Sequence, residues 1–267
     1  MTSTAQAITF PVRYVDRTQD QRVCRDLELV PGETALLLRH TSNIAYPGSL
    51  ELSPESVHWP LLSRLEHGGR MRSVIDNHIV PLAAAARAAG VHILYVIDGW
   101  AACERYPQWR ALSARVPEEA DHNLSVDSPD AGWREPFESR VFMPGYRQAA
   151  ARMNEDLDIA PPLAPGPMDW IATTDRQVRT LLNENGVWNV LHAGFDMNDD
   201  VMYSAAAGLY WFGRSYRSIL LRDCVAGEEP AAMADGERLK NTIVDFMEMC
   251  GYSAEGAEIR AALSPDS

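Results

Sequence analysis

Lysine is almost missing from this 267-residue chain: of 24 basic side chains only Lys240 is a lysine, and the rest are arginine. A reaction that needs a lysine amine must use Lys240 or is excluded. Cysteine is scarce as well. Cys24, Cys103, Cys224 and Cys250 are far apart and form no C-x-x-C pair, which removes the usual zinc and dithiol redox motifs and leaves four reduced thiols as the expectation. No apolar run reaches the roughly 18 residues that a membrane span needs. The opening Met1-Thr-Ser-Thr-Ala-Gln-Ala7 has neither the basic start nor the apolar run of a signal peptide, so a cytoplasmic location is expected. Nor does any block of Lys or Arg offset the formal net charge of −13. Phosphate backbones and anionic membrane surfaces are repelled by such a field, and neither nucleic acid nor membrane is an expected partner.

Four apolar runs rich in branched residues read as buried parallel strands: Thr34 to Leu38, Val91 to Ile97, Val187 to Leu191 and Ser218 to Leu221. Helical spacing separates them. From Arg72 to Ala89 the apolar positions Val74, Ile75, Ile79, Leu82 and Ala86 fall on one face, and Gly90 stands where a C-terminal cap belongs. Asp175 to Asn185 repeats the device, with Val178, Leu181 and Leu182 before Gly186. A shorter strand, Asp169 to Thr173, follows the turn-forming stretch from Pro161 to Pro167. The alternation predicts one α/β domain, a three-layer sandwich with a mainly parallel, doubly wound sheet, over residues 34–267. Residues 1–33 read as an N-terminal extension packed on it. The stretch 101–163 mixes Pro and charge with isolated aromatics (Trp109, Trp133, Phe137, Tyr146) and reads as a lid or an oligomer contact.

Chemistry in such sheets gathers at the carboxyl ends of the strands. The side chains there are His40, Asp98, Thr173 and Thr174, Asp196 to Asp200, and Asp223. The turn from Gly194 to Asp200 is the densest, carrying three carboxylates between a strand and an alanine-rich helix. Taken singly, Asp196, Asn198 and Asp199 suit ordinary cap and first-turn positions. A histidine beside carboxylates fits a general base, an ion pair or a metal ligand. His192, inside a strand, reads as a hydrogen-bonded core histidine, and Asp223 as a cap for the next turn.

The order of these pieces resembles the isochorismatase-like cysteine hydrolases. The resemblance runs from about Gly32 to Leu263. It is carried by Thr34-Ala-Leu-Leu-Leu38, by the helix from Asn77 to Gly90, by Gly186-Val-Trp-Asn-Val-Leu-His-Ala-Gly194, by Ser204-Ala-Ala-Ala207 and by Gly213 to Asp223. It implies an isochorismatase-like fold, and relatives are commonly homo-oligomers, so at least a dimer is expected. Members of that family use an Asp–Lys–Cys triad; here the matching positions hold His40, Thr174 and Asp200, so none of the three catalytic types is kept. What the resemblance then implies is a small-molecule hydrolase acting on an amide or related polar bond without a cysteine nucleophile. Asp200 would activate water or attack, His40 would carry the proton, and Thr174 would stand in the lysine's place. Asn43, Asp98, Phe195 and Asp196 are the expected substrate-binding residues. The alternative is a catalytically inactive binding or scaffold protein. A metal held by His40, Asp98, Asp196 and Asp200 is a third possibility, but no tightly bound metal and no cofactor is expected, since only Asp196 and Asp200 approach a short ligand spacing.

Overall fold

A computed structural model of the chain describes residues 6–44, 46–47, 63–117, 151, 153–204, 208–213, 215–227 and 237–264. Its centre is an eight-stranded sheet. The strands are β1 (Ile8–Asp16), β2 (Gln21–Leu29), β3 (Thr34–Arg39), β4 (His92–Val96), β5 (Trp170–Ala172), β6 (Asn189–Gly194), β7 (Arg217–Val225) and β8 (Tyr252–Ala254), in the spatial order β2-β1-β8-β7-β6-β3-β4-β5. From β8 to β5 every neighbouring pair is parallel, while β1 and β2 form an antiparallel hairpin joined to β8 at Arg13 and Ser253. The mainly parallel α/β sheet is therefore as the apolar runs predict. The stretch before residue 34 contributes two strands to the same sheet.

Runs of unbroken apolar residues are needed because both faces of the parallel strands are covered. Along β3, Leu36 and Leu38 enter the larger core, while Ala35 and Leu37 enter a second core on the opposite face. β4 divides the same way, with Ile93 and Tyr95 on one side and Leu94 and Val96 on the other. Covering one face are α1 (Ser63–Val74) and α2 (Val80–Ala88); the other carries α3 (Pro107–Arg115) and α4 (Asp175–Glu184). The predicted single helix from Arg72 to Ala89 is interrupted by a π turn over Ile75–Ile79. Pro81 explains it: the ring has no N–H to give back to the preceding turn, and the wider loop is closed instead by Val80 N–H donating to Ile75 O. Gly90 and Gly186 hold positive φ, 83° and 66°, at the two predicted helix ends.

The strand order fixes where a ligand crevice opens. β3 leads to β4 and β5 on one side and, after a return, to β6 and β7 on the other, so the order reverses between β3 and β6. At such a switch point the connections leave in opposite directions and a crevice forms beyond the carboxyl ends. His40 follows β3 directly, and the turn carrying Asp200 follows β6. Of the stretch read as a lid, residues 101–117 form a 3-10 turn and α3, and 153–163 return past Thr41 and Asn43. Trp133, Phe137 and Tyr146 lie outside the described residues. No helix among the described residues is long and apolar enough to cross a membrane.

One glycine holds β3 and β6 together at the crevice. Gly194 has φ 124°, and a Cβ placed on it would stand 1.9 Å from the Arg39 carbonyl oxygen. Gly194→Ala is expected to cost on the order of 4 kcal/mol or to abolish folding. Gly32→Ala, with nothing within 4 Å of the added methyl, is expected to shift stability by less than about 0.5 kcal/mol. Urea titration of both variants checks the contrast.

Candidate active-site crevice

Four charged side chains meet at the switch point. Arg39, the last residue of β3, is only 1% exposed and places Nη1 3.0 Å from Asp98 Oδ1, just beyond β4. The other Asp98 oxygen accepts a hydrogen bond from Ser204 Oγ at 2.9 Å. His40 turns into the crevice through a left-handed backbone, φ 44°. Its Nδ1 lies 2.9 Å from Asp200 Oδ2 and its Nε2 3.2 Å from Asp98 Oδ1. The second contact is an ion pair rather than a hydrogen bond, because buried Nε2 has no acceptor in line with its N–H. Trp100 stacks on the imidazole with ring centroids 5.3 Å apart and planes 26° from parallel.

The electrostatics follow from this packing. Burial opposes a charge on His40, but the hydrogen bond to Asp200 and the close carboxylates of Asp200 and Asp98 outweigh it and raise the imidazole pKa to about 9. At neutral pH His40 is therefore an imidazolium. Burial also pushes Asp98 upward, yet His40, Arg39 and the Ser204 hydroxyl hold it down at about 2. Burial pulls Arg39 below its ordinary value against the opposing charges of Asp98 and Asp200, and a guanidinium remains charged there. Two cations thus face two carboxylates. Of the crevice groups Asp200 is the most open, its side chain 33% exposed against 17% for His40 and 28% for Asp98. Among the described residues the partner of Asp200 is His40, on Oδ2.

The other expected site residues stand elsewhere. Thr174 is the N-cap of α4, its hydroxyl accepting from Gln177 N–H, and Thr173 accepts from the Trp109 indole at 3.0 Å. Asn43 fastens the loop after β3 to residues 156–158: its Oδ1 accepts from Asp158 N–H and its Nδ2 donates to Asp156 O. Phe195, expected to line the crevice, is fully buried in the larger core, where an aromatic ring gains more from packing than at a polar cleft. Asp196 is buried at the start of the turn over Met197–Val201, its carbonyl accepting from Val201 N–H. The side chains of Asn198 and Asp199 lie outside the described set.

His192 is buried, with Nε2 3.2 Å from Ser218 Oγ, and burial together with the Arg39 charge lowers its pKa to about 3. Asp223 accepts from the N–H groups of Gly256 and Ala257 at the start of a short terminal helix, Gly256–Ala262. No group of three or more His, Cys, Asp or Glu side chains suited to a metal ion occurs among the described residues.

Sequence reasoning passed over Arg39, Trp100 and Ser204. For Arg39 a signal existed: an arginine closing an apolar run in a strand covered on both faces must find a carboxylate. Ser204, one helical turn beyond Asp200, and Trp100, two residues beyond Asp98, carry no such mark.

No family model matches the chain, and no curated protein matches it. Among solved structures it is similar to a cysteine hydrolase from Pseudomonas syringae pv. phaseolicola 1448A, at 18% identity over 88% of this chain and 94% of that one, TM-score 0.47. It is also similar to an isochorismatase family protein from Burkholderia thailandensis, at 14% identity, 88% and 97% coverage and TM-score 0.44. A third is an isochorismatase family protein from Desulfovibrio vulgaris subsp. vulgaris str. Hildenborough, at 15% identity, 86% and 98% coverage and TM-score 0.43.

The two histidines make opposite contributions to the pH dependence of stability. His40 has a folded pKa of about 9 against 6.5 unfolded, so its stabilisation is complete below pH 6.5 and is lost as pH rises through 9. His192 has a folded pKa of about 3, so the unfolded chain takes up its proton first and stability falls as pH drops from 6.5 toward 3. Together they place a stability maximum near pH 6.5. His40→Gln is expected to flatten the alkaline limb, worth on the order of 3 kcal/mol, and His192→Asn the acid limb. Denaturant midpoints measured from pH 4 to 10 check both. Asp98→Asn leaves Arg39 buried without its counter-charge and is expected to cost about 3–5 kcal/mol in the same assay.

Proposed function

We propose that the protein is a small-molecule hydrolase that cleaves an amide or related polar bond without a cysteine nucleophile. The observation that carries this reading is Asp200 itself: a carboxylate held by His40 through one oxygen, one-third exposed, at the switch-point crevice. Asp200 is the group that meets water. Its Oδ1 takes a proton as the water oxygen attacks the substrate carbon, and the same proton passes to the nitrogen as the C–N bond breaks. First-turn N–H groups of a helix start offer hydrogen bonds to charge developing on the carbonyl oxygen.

His40 has a different role from the proton carrier that the sequence suggests. An imidazolium with both ring nitrogens turned toward carboxylates, and with Nε2 buried, holds Asp200 in place. Asp98 and Trp100 in turn hold the imidazole, and Thr174 is given no role beyond its helix cap. No thiol takes part: Cys103 and Cys224 are buried, and Cys24 and Cys250 are exposed away from the crevice.

A second reading, ligand binding without turnover, is favoured by one specific observation. Arg39, His40, Asp98 and Asp200 pair with one another, leaving the crevice near neutrality. A panel of small amides, ureas and vinyl ethers separates the two. Hydrolysis followed by mass spectrometry is expected to fall roughly a hundredfold or more in Asp200→Asn, with the variant still folded by circular dichroism. Turnover is expected to hold steady between pH 7 and 8, to decline above about 9 as His40 loses its proton, and to survive iodoacetamide. Calorimetric binding of a panel member with no product, equal in wild type and Asp200→Asn, would establish the second reading instead.

A further inference from the structure

Ser204 belongs to the helical segment that follows Asp200, and no step of the proposed hydrolysis uses it. Its backbone is held on both sides: the N–H donates to Asp200 O at 3.3 Å, and the carbonyl accepts from Gly208 N–H at 3.1 Å. The second bond needs Gly208 to lack a side chain, since a Cβ there would stand 2.5 Å from Ser204 O. From this fixed backbone the side chain reaches Asp98, just beyond β4, where Oγ donates to Oδ2 at 2.9 Å.

These contacts close a circuit. Asp98 Oδ1 lies 3.2 Å from His40 Nε2, His40 Nδ1 lies 2.9 Å from Asp200 Oδ2, Asp200 O accepts from Ser204 N–H, and Ser204 Oγ returns to Asp98. The two oxygens of Asp98 are used differently. Oδ1 takes both cations, Nη1 of Arg39 at 3.0 Å and Nε2 of His40, whereas the described partner of Oδ2 is the Ser204 hydroxyl. A carboxylate held by one oxygen turns about its Cβ–Cγ bond, a torsion with only a broad preference. Holding the second oxygen stops that turn. Asp98 then keeps Oδ1 against the imidazole, and the imidazole keeps Asp200 where it stands. Asp200 needs such support, because its described partner is His40 alone and its side chain is 33% exposed.

From this circuit we infer that Ser204 is a positioning residue: acting through Asp98 and His40, its hydroxyl sets the place of the Asp200 carboxylate. This role rests on the proposed hydrolysis for its effect on rate, and not for its effect on His40. A general base must stand within hydrogen-bond reach of the water it deprotonates, and a displacement of about 1 Å costs on the order of a hundredfold in rate. The effect on His40 needs no substrate. The charged groups around the imidazole are Asp98 beyond β4, Asp200 beyond β6 and, on the shared Asp98 oxygen, Arg39. Once free to turn, Asp98 stays with the more deeply buried Arg39, and His40 loses one of its two carboxylates, so the imidazole gives up its proton at lower pH. Asp98, held at about 2, stays ionised near neutrality without this one hydrogen bond.

NMR titration of the His40 ring in the full-length protein, carrying isotope-labelled histidine, tests this beside steady-state kinetics on a hydrolysed member of the amide panel. Ser204→Ala is expected to move the His40 midpoint at least about one pH unit lower, and to cut kcat at least about tenfold with KM held within about twofold. Ser204→Thr keeps the hydroxyl and is expected to recover both. Thr242→Ala removes a hydroxyl bond of similar kind, Oγ1 to Arg238 O at 2.8 Å on the exposed face of the helix Arg238–Glu248, and is expected to move neither. An unmoved or raised midpoint in folded Ser204→Ala would overturn the inference, as would an equal fall in Ser204→Thr or Thr242→Ala, which would assign the change to packing. In an active wild type, kcat unchanged at a lowered midpoint would overturn it too, since Asp200 would then stand without the circuit. If no panel member is turned over, the hydrolytic reading fails by itself, and the midpoint still decides the role of Ser204.

Discussion

The crevice depends on one buried ion pair. Arg39 lies among strands covered on both faces, and the carboxylate of Asp98, 3.0 Å away, offsets the cost of a guanidinium there, with the charge of Asp200 in support. Asp98 stands just past the end of the neighbouring strand, so the pair ties the ends of β3 and β4 together. His40 leans on the same carboxylate and reaches across to Asp200 beyond β6, drawing the third strand end into the arrangement. Gly194 permits the closest approach, its Cα held against the Arg39 carbonyl. Three strand ends are therefore set by one charge that must be neutralised and one side chain that must be absent.

Much of this fold was legible in the sequence, and for a physical reason. Strands covered on both faces leave apolar runs with no alternation, as in Thr34 to Leu38, and helices ending in glycine leave a punctuated 3.6-residue pattern, as at Gly90 and Gly186. The hairpin left no such mark. In β2 most side chains are exposed, so Arg22, Arg25, Asp26 and Glu28 replace the apolar alternation that would have announced a strand. β8 has three residues, too few for any period.

The crevice was half legible. His40, Asp98 and Asp200 were found because polar residues following apolar runs fall at strand ends. Their mutual geometry was not, since His40 and Asp200 are 160 residues apart, as Arg39 and Asp98 are 59 apart, and no local spacing encodes contacts of that range. Phe195 shows the limit from the other side: adjacency to a polar turn says nothing of which way a ring points, and this one points into the core. The protonation state of His40 was likewise hidden, because it takes two carboxylates, not one, to hold the proton at neutral pH.

The hairpin has a consequence for the solution behaviour of the molecule. A twisted sheet ends in two unpaired rows of N–H and C=O groups, and such rows template edge-to-edge polymerisation. At one end β5 is three residues long, too short to recruit a partner strand. At the other, β2 carries the charges of Arg22, Arg25, Asp26 and Glu28. It is also fastened to the domain, since Arg22 and Arg13 both reach the buried carboxylate of Glu248 in the helix Arg238–Glu248. Both margins of the sheet are thereby guarded against amyloid-type growth, the first by brevity and the second by charge.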